Sequence, residues 1–300
     1  MRHRGPAFAG SGATVTATEV LRLAGAPPFP MNRTFIGLCF VPLAVVTAAF
    51  FLLPMALLTM AGATGPLGVK AYAAILTDPR YRETLINTVL LAAATTAASL
   101  VISTIVGLFL QRNRFPGRAT LIALLTFPLA FPGVVVGFMI ILLAGRQGLI
   151  GEITQFLFGD KQAFAYSIQG LFLGYLYFSI PRVILTVMAA VEKLDPRLEE
   201  AARALGAGHW AVMRDVVLPA LVPAFVASGA IVFATAMGAF GTAFTLATDI
   251  DVLPMLIYTE FTLSANIAMA AALSVGLGLV AWVMLALGRS VSGGTVAAAG

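Results

Sequence analysis

Six stretches of the chain, approximately 34–58, 85–110, 119–143, 167–191, 218–242 and 264–287, are apolar over a length sufficient to cross a bilayer, which takes about 20 residues of helix. Nothing else in the sequence restricts the fold as tightly. In hydrocarbon each backbone N–H and C=O needs a partner within the protein, so only helices and closed barrels can span. Runs this long are helical lengths rather than barrel-strand lengths. The expected class is all-α, a polytopic membrane protein with six transmembrane helices. A composition of 60% hydrophobic and 10% charged residues, with a mean hydropathy of +0.97, leaves no room for a water-soluble core, since soluble domains carry about 25% charged residues. Pro42, Pro54, Pro128, Pro132, Pro181, Pro219 and Pro223 fall within or at the ends of the runs, so kinked helices are expected.

Orientation follows from lysine and arginine. An even number of spans puts both termini on one side, with loops 111–118 and 192–217. That side carries 12 of the 18 basic residues, whereas the opposite loops, 59–84, 144–166 and 243–263, carry five. Both termini and loop 192–217 are therefore expected in the cytoplasm. The last outer loop holds Asp249, Asp251 and Glu260 and no basic residue. Residues 1–33 form an N-terminal tail with no apolar run directly behind its early arginines, unlike a cleaved signal peptide. Residues 34–290 form the membrane domain, and 291–300 a second cytoplasmic tail. One cysteine, Cys39, rules out an internal disulfide, and His3 and His209 are far apart in sequence, so no metal cluster is expected. The net charge of +5 is dispersed between apolar spans, a pattern unsuited to nucleic acid.

The longest polar interlude lies between the fourth and fifth runs. It reads Glu200-Ala-Ala-Arg-Ala-Leu-Gly206 and continues to Leu218-Pro219, with Glu192, Lys193, Asp195, Arg197, Glu199, Arg203, Arg214 and Asp215 around it. Ala201, Ala202, Ala204 and Leu205 favour helix, while Gly206 and Gly208 can end it. Pro219 suits the first turn of the next span, where its missing N–H matters little. Two short helices with a glycine joint, held at a membrane surface, are expected. On composition alone an interfacial helix with solvated charges would read the same way.

The spacing closely resembles the EAA loop of permease subunits of bacterial ABC importers. Asn87-Thr88, Leu194-Asp195-Pro196 and Ala220-Leu221-Val222-Pro223 resemble further parts of that family, and the likeness covers about 60–290. It implies the type I importer permease fold, with five core helices and the first lying against a partner subunit. It also implies that Glu200, Ala201, Ala202 and Gly206 dock into a cleft of an ATP-binding cassette ATPase subunit, with Leu218 and Pro219 tying the loop to the fifth span. Other implied partners are a second permease, identical or paralogous, and a solute-binding protein on the outer face. No cofactor is expected on this chain, which lacks G-x-x-x-x-G-K-[ST]; ATP-Mg would belong to the ATPase.

Arg182 is the one ionisable residue within the six runs, and an intramembrane charge is a functional hypothesis by default. It either lines an aqueous pathway for an anion or snorkels towards headgroups. Ser228, Thr235, Thr242 and Asn266 are the other candidate pathway groups, although hydroxyls also glue membrane helices together. Met237-Gly-Ala-Phe-Gly241 resembles a family stretch with an acid where Ala239 stands, so no carboxylate role carries over. Among family branches the chain resembles the polyamine, sulfate, ferric-iron and 2-aminoethylphosphonate permeases. Ala165-Tyr166-Ser167-Ile168-Gln169-Gly170 and Leu253-Pro254-Met255-Leu256-Ile257-Tyr258 resemble the last of these. A gradient-driven carrier would be expected to place carboxylate relays at membrane depth, and a membrane enzyme would need a catalytic set; the spans show neither.

Overall fold

The computed structural model describes residues 33–161, 163–246 and 251–292. Of the described residues, those from 33 to 55 and those from 56 onward form two separate units. The first unit holds α1 (Arg33–Thr47) and a π-helical turn, Ala48–Leu52. α2 (Leu53–Ala63) follows, and Phe40–Ala63 is long and apolar enough to span a bilayer.

In the second unit, α3 (Lys70–Thr77) leads into α4 (Pro79–Arg112). Asp78 starts α4 as its N-cap, accepting from the Arg80 N–H at 2.9 Å, and Pro79 fits the first turn because no N–H is needed there. At 1.5 Å per residue α4 is about 51 Å long. It therefore exceeds the ~30 Å hydrocarbon thickness by several turns, and its charged ends lie beyond the apolar centre. Then come α5 (Arg118–Thr126), a 3₁₀ turn at Phe127–Ala130, α6 (Gly133–Ala144), α7 (Leu149–Phe158) and α8 (Ile168–Glu192). α9 (Pro196–Ala204), α10 (His209–Val212) and a π turn at Met213–Val217 precede α11 (Leu218–Met237). α12 (Phe240–Leu246), α13 (Leu253–Thr262) and α14 (Ile267–Ser292) complete the described chain.

Among the described residues, six helical segments reach membrane-spanning length and apolarity: Phe40–Ala63, Pro79–Arg112, Gly133–Phe158, Ile168–Glu192, His209–Met237 and Ile267–Ser290. The third corrects the expected 119–143. Pro128 and Pro132 interrupt that run, and Phe131 between them is extended, as a residue before proline prefers. A hydropathy count passes through every proline alike, whereas the helices continue through Pro42, Pro181 and Pro223 and break at Pro132. The apolar span begins afresh at Gly133, and α5 remains a separate short helix. Helices also form between the expected runs, at α3, α7 and α13. Asp249 lies outside the described residues.

α4 is the central element of the second unit. Its buried face is small and polar, with Thr84, Thr88, Thr95, Ser99, Ser103 and Gly107, the side chains that let membrane helices approach closely. Gly107 meets α8 so tightly that a Cβ there would lie 2.9 Å from Val187 Cγ1. Nearby, Ser103 donates to the Ile180 carbonyl at 3.0 Å, a carbonyl of the turn that contains Pro181. α11 packs on α4, α8 and α14. The main core gathers Leu91, Ile140, Tyr175, Phe233, Met237 and Leu246.

Candidate functional site

The interlude around Glu200 forms a helix, a glycine joint and a second helix. Asp195 caps α9, accepting from the Arg197 N–H at 3.0 Å, and Pro196 occupies its first turn. The helix ends at Gly206, whose φ of +86° is left-handed, a conformation that glycine adopts without steric penalty. The Gly206 N–H donates to Arg203 O and the Ala207 N–H to Ala202 O, closing the end. Ala202 and Ala207 pack on Leu108, Val212, Val217 and Leu221. That buries one side of the hairpin against the ends of α4 and α11.

The other side is open. Glu200, Ala201 and Gly206 are exposed, and no ion pair is found at Glu200. Leu205 is 90% exposed and Trp210 74%, so the interlude presents unburied apolar groups as well as the Glu200 carboxylate. Its neighbour Glu199 is engaged instead: Arg112 Nη2 donates to Oε1 at 2.5 Å and Arg203 Nη2 to Oε2 at 3.3 Å. Leu218 and Pro219 open α11 as its first two residues, so the loop passes directly into a span.

A second feature lies at membrane depth. A cavity of about 350 Å³ is bordered by Leu129, Phe131, Phe178, Arg182, Thr235 and Thr242, with the backbone of Gly238–Gly241 along one wall. The proline break that ends α5 supplies Pro128, Leu129 and Phe131 to this rim. Arg182, half-buried on α8, donates from Nη1 to Thr235 Oγ1 at 3.1 Å. Thr235 also donates to Ile231 O at 2.6 Å, so its hydroxyl accepts from Arg182 while giving its proton to its own helix. Guanidinium carries five N–H donors, and among the described residues no carboxylate lines the cavity. Ala239, at the family's acidic position, forms part of the wall, and its carbonyl accepts from the buried Tyr175 hydroxyl at 3.2 Å.

The structure thus brings Arg182, Thr235 and Thr242 to one cavity, although Thr242 Oγ1 is fully buried and donates to Gly133 O at 3.0 Å. Ser228 and Asn266 do not border it. Ser228 is buried and donates to Ala224 O at 2.7 Å, whereas Asn266 accepts from the Met269 N–H at 3.2 Å in the first turn of α14. Sequence reasoning gave no particular place to Glu260 or to the pairing of Arg112 with Glu199. Glu260 sits on α13 with its side chain 5% exposed, 3.4 Å from Arg80 Nη1 and 3.4 Å from the Tyr81 hydroxyl. The partners are 180 and 179 positions away, and no local pattern announces such a contact. Among the described residues no group of three or more His, Cys, Asp or Glu is placed to hold a metal ion.

Residues 99–293 match the family model of the binding-protein-dependent transport system inner membrane component. The chain belongs to that family. It is a multi-pass inner-membrane permease, a transport component and not a catalyst, of the ABC importer class. The permease is 35% identical over 193 residues to the molybdenum transport system permease protein ModB of Escherichia coli, covering 62% of this chain and 81% of that one. It is 28% identical over 258 residues to PhnU of Salmonella typhimurium, provisionally assigned to 2-aminoethylphosphonate transport, covering 82% and 90%. It is 31% identical over 198 residues to the sulfate transport system permease protein CysW of Synechocystis, covering 65% and 71%. Among solved structures, a chain of a bacterial alginate ABC transporter in complex with an alginate-bound periplasmic protein superposes with a TM-score of 0.74. Its identity is 17%, over 86% of this chain and 93% of that one. A chain of the inward-facing MetNI methionine ABC transporter gives a TM-score of 0.54 at 19% identity, over 70% and 93%. At those identities the superpositions establish the fold, that of the type I importer permeases.

Proposed function

We propose that this permease forms half of the pathway of an ATP-driven importer of a small oxoanion, with 2-aminoethylphosphonate or a related anion as the leading candidate. The observation that carries the substrate class is the cavity at Arg182, with a guanidinium at membrane depth, hydroxyls beside it and, among the described residues, no carboxylate on its wall. An arginine fork suits phosphonate, sulfate and molybdate oxygens alike, because paired N–H donors match tetrahedral oxoanions. The three relatives are named for molybdenum, 2-aminoethylphosphonate and sulfate transport, and PhnU matches over the largest share of this chain among them. A polyamine would meet a positive charge in the same cavity, and ferric iron would meet no carboxylate there.

The coupling role rests on α9. Glu200 presents an unpaired carboxylate, and Leu205 and Trp210 present apolar surface; an ATPase subunit supplying an arginine and an apolar cleft would cover both. ATP-Mg is held by that subunit, since this chain carries no phosphate-binding loop. The loop and both termini face the cytoplasm, by the excess of basic residues on that side. A binding protein delivers the anion to the outer face, and a second permease, identical or paralogous, completes the pathway. ATP-driven closure of the ATPase pair draws the coupling helices together, and the permeases rock between outward- and inward-facing states.

The test is uptake by proteoliposomes holding the complete transporter and its binding protein. Labelled 2-aminoethylphosphonate, sulfate, molybdate and spermidine are offered separately. The reading expects ATP-dependent uptake of at least one oxoanion and none of spermidine. Uptake of spermidine alone overturns the substrate class, and uptake that needs an ion gradient but no ATP overturns the transporter class.

A further inference from the structure

Two adjacent acids on the coupling helix have opposite surroundings. Glu200 is exposed and without an ion pair. Glu199 has one carboxylate oxygen on Arg112, at the last residue of α4, and the other on Arg203, one turn along its own helix. The pair joins residues 87 positions apart in the chain. Covalently α9 belongs to α8 before it and α11 after it, and neither connection reaches α4.

The end of α4 is itself braced. Arg118 donates from Nε to Leu110 O at 2.6 Å and from Nη2 to Gln111 Oε1 at 3.1 Å, and Asn113 Nδ2 donates to Phe109 O at 2.8 Å. A displacement of α9 is therefore delivered to a stiff helix end rather than to a slack loop. Two turns or so further into the membrane, Gly107 lies against Val187 and Ser103 holds the Ile180 carbonyl. Two residues beyond Ile180 is Arg182, on the cavity rim.

We infer that Arg112 and Glu199 form a transmission strut: they are positioning residues that carry movement of the coupling helix into α4 and thence to the cavity, distinct from the docking made by Glu200. The inference rests on the coupling role proposed above. It assigns different consequences to neighbouring acids. Loss of Glu200 weakens attachment of the ATPase, whereas loss of Glu199 leaves the ATPase attached and weakens its connection to the pathway, the packing of Ala202 and Ala207 around Leu108 remaining. With side-chain exposures of 32% and 20%, the pair is open enough for salt to weaken it.

The test uses the full transporter in proteoliposomes, with Cys39→Ser and Ala239→Cys introduced to place one thiol on the cavity wall. The rate of labelling by a membrane-impermeant maleimide is measured without nucleotide and after trapping with ATP and vanadate. This readout needs no knowledge of the substrate. Elements that couple two sites typically modulate the coupling by 0.5–2 kcal/mol, so Glu199→Gln or Arg112→Gln is expected to shrink the nucleotide-dependent change in labelling about two- to thirty-fold. The ATPase subunit should remain in the purified complex. The Arg112→Gln/Glu199→Gln double variant should be no worse than either single variant, because both remove one interaction. Full nucleotide response in Glu199→Gln overturns the strut, as does additive damage in the double variant. Loss of the ATPase from Glu199→Gln complexes overturns it too, by placing Glu199 in docking. A wild-type complex whose labelling ignores nucleotide while the ATPase is bound overturns the coupling reading and this inference with it.

Discussion

Replacing Arg182 by glutamine removes the positive charge of the cavity while keeping a side chain able to donate to Thr235. In the structure Arg182 Nη1 donates to Thr235 at 3.1 Å, the guanidinium has further N–H donors, and the residue borders the cavity. A hydrogen bond to a charged group contributes about 1.5–3 kcal/mol. Losing one such bond to a passing oxoanion slows its transfer by about 13- to 160-fold, at 1.36 kcal/mol per decade. Capture at low concentration belongs to the binding protein, so the half-saturating concentration should stay put and the maximal uptake rate should fall. Arg182→Lys keeps the charge without the planar fork and should fall between. The assay is initial uptake of labelled oxoanions by proteoliposomes at matched transporter content, with thermal stability in detergent measured beside it. Wild-type maximal rates in Arg182→Gln would refute the reasoning, because the guanidinium would then be a snorkelling group with no role in the pathway.

Gly206→Val forces a β-branched residue to φ +86°, at a penalty of about 1–2 kcal/mol, and should lower ATP-driven uptake with the membrane spans intact; protease sensitivity of the loop and uptake are read together. Asp195→Ala removes the N-cap of α9 and should loosen that helix by about 1 kcal/mol, seen as faster amide exchange confined to residues 197–204. Gly107→Leu overfills the contact with Val187 and should destabilise the permease by about 1–3 kcal/mol, measured as a lower melting temperature in detergent.

Much of this was legible in the chain. Apolar runs long enough to span are visible because lipid imposes one length and one secondary structure, and α9 is visible because Asp195-Pro196, the alanines and Gly206 write a cap, a body and a stop in twelve positions. Arg182 stood out because charge is rare at that depth. The third span was misplaced since apolar composition is blind to the two prolines that leave Phe131 extended. Hydroxyls were the least legible. Thr235 and Ser228 lie on one helix and both donate to carbonyls four residues back, yet only Thr235 reaches the cavity, a difference of rotation that α11 receives from its packing on α4, α8 and α14. Arg112 with Glu199, and Glu260 with Arg80 and Tyr81, are pairs made by folding alone.

The central claim is that the exposed face of α9 holds the ATPase, and the most direct measurement is the ATPase content of complexes purified by a tag on the permease, for wild type, Glu200→Ala and Glu200→Arg. The account predicts near-complete retention in the wild type, reduced retention in Glu200→Ala, and the greatest loss in Glu200→Arg, where the new charge repels the arginine that Glu200 is expected to meet. Equal retention in all three, with binding-protein-stimulated ATP hydrolysis unchanged, would contradict it.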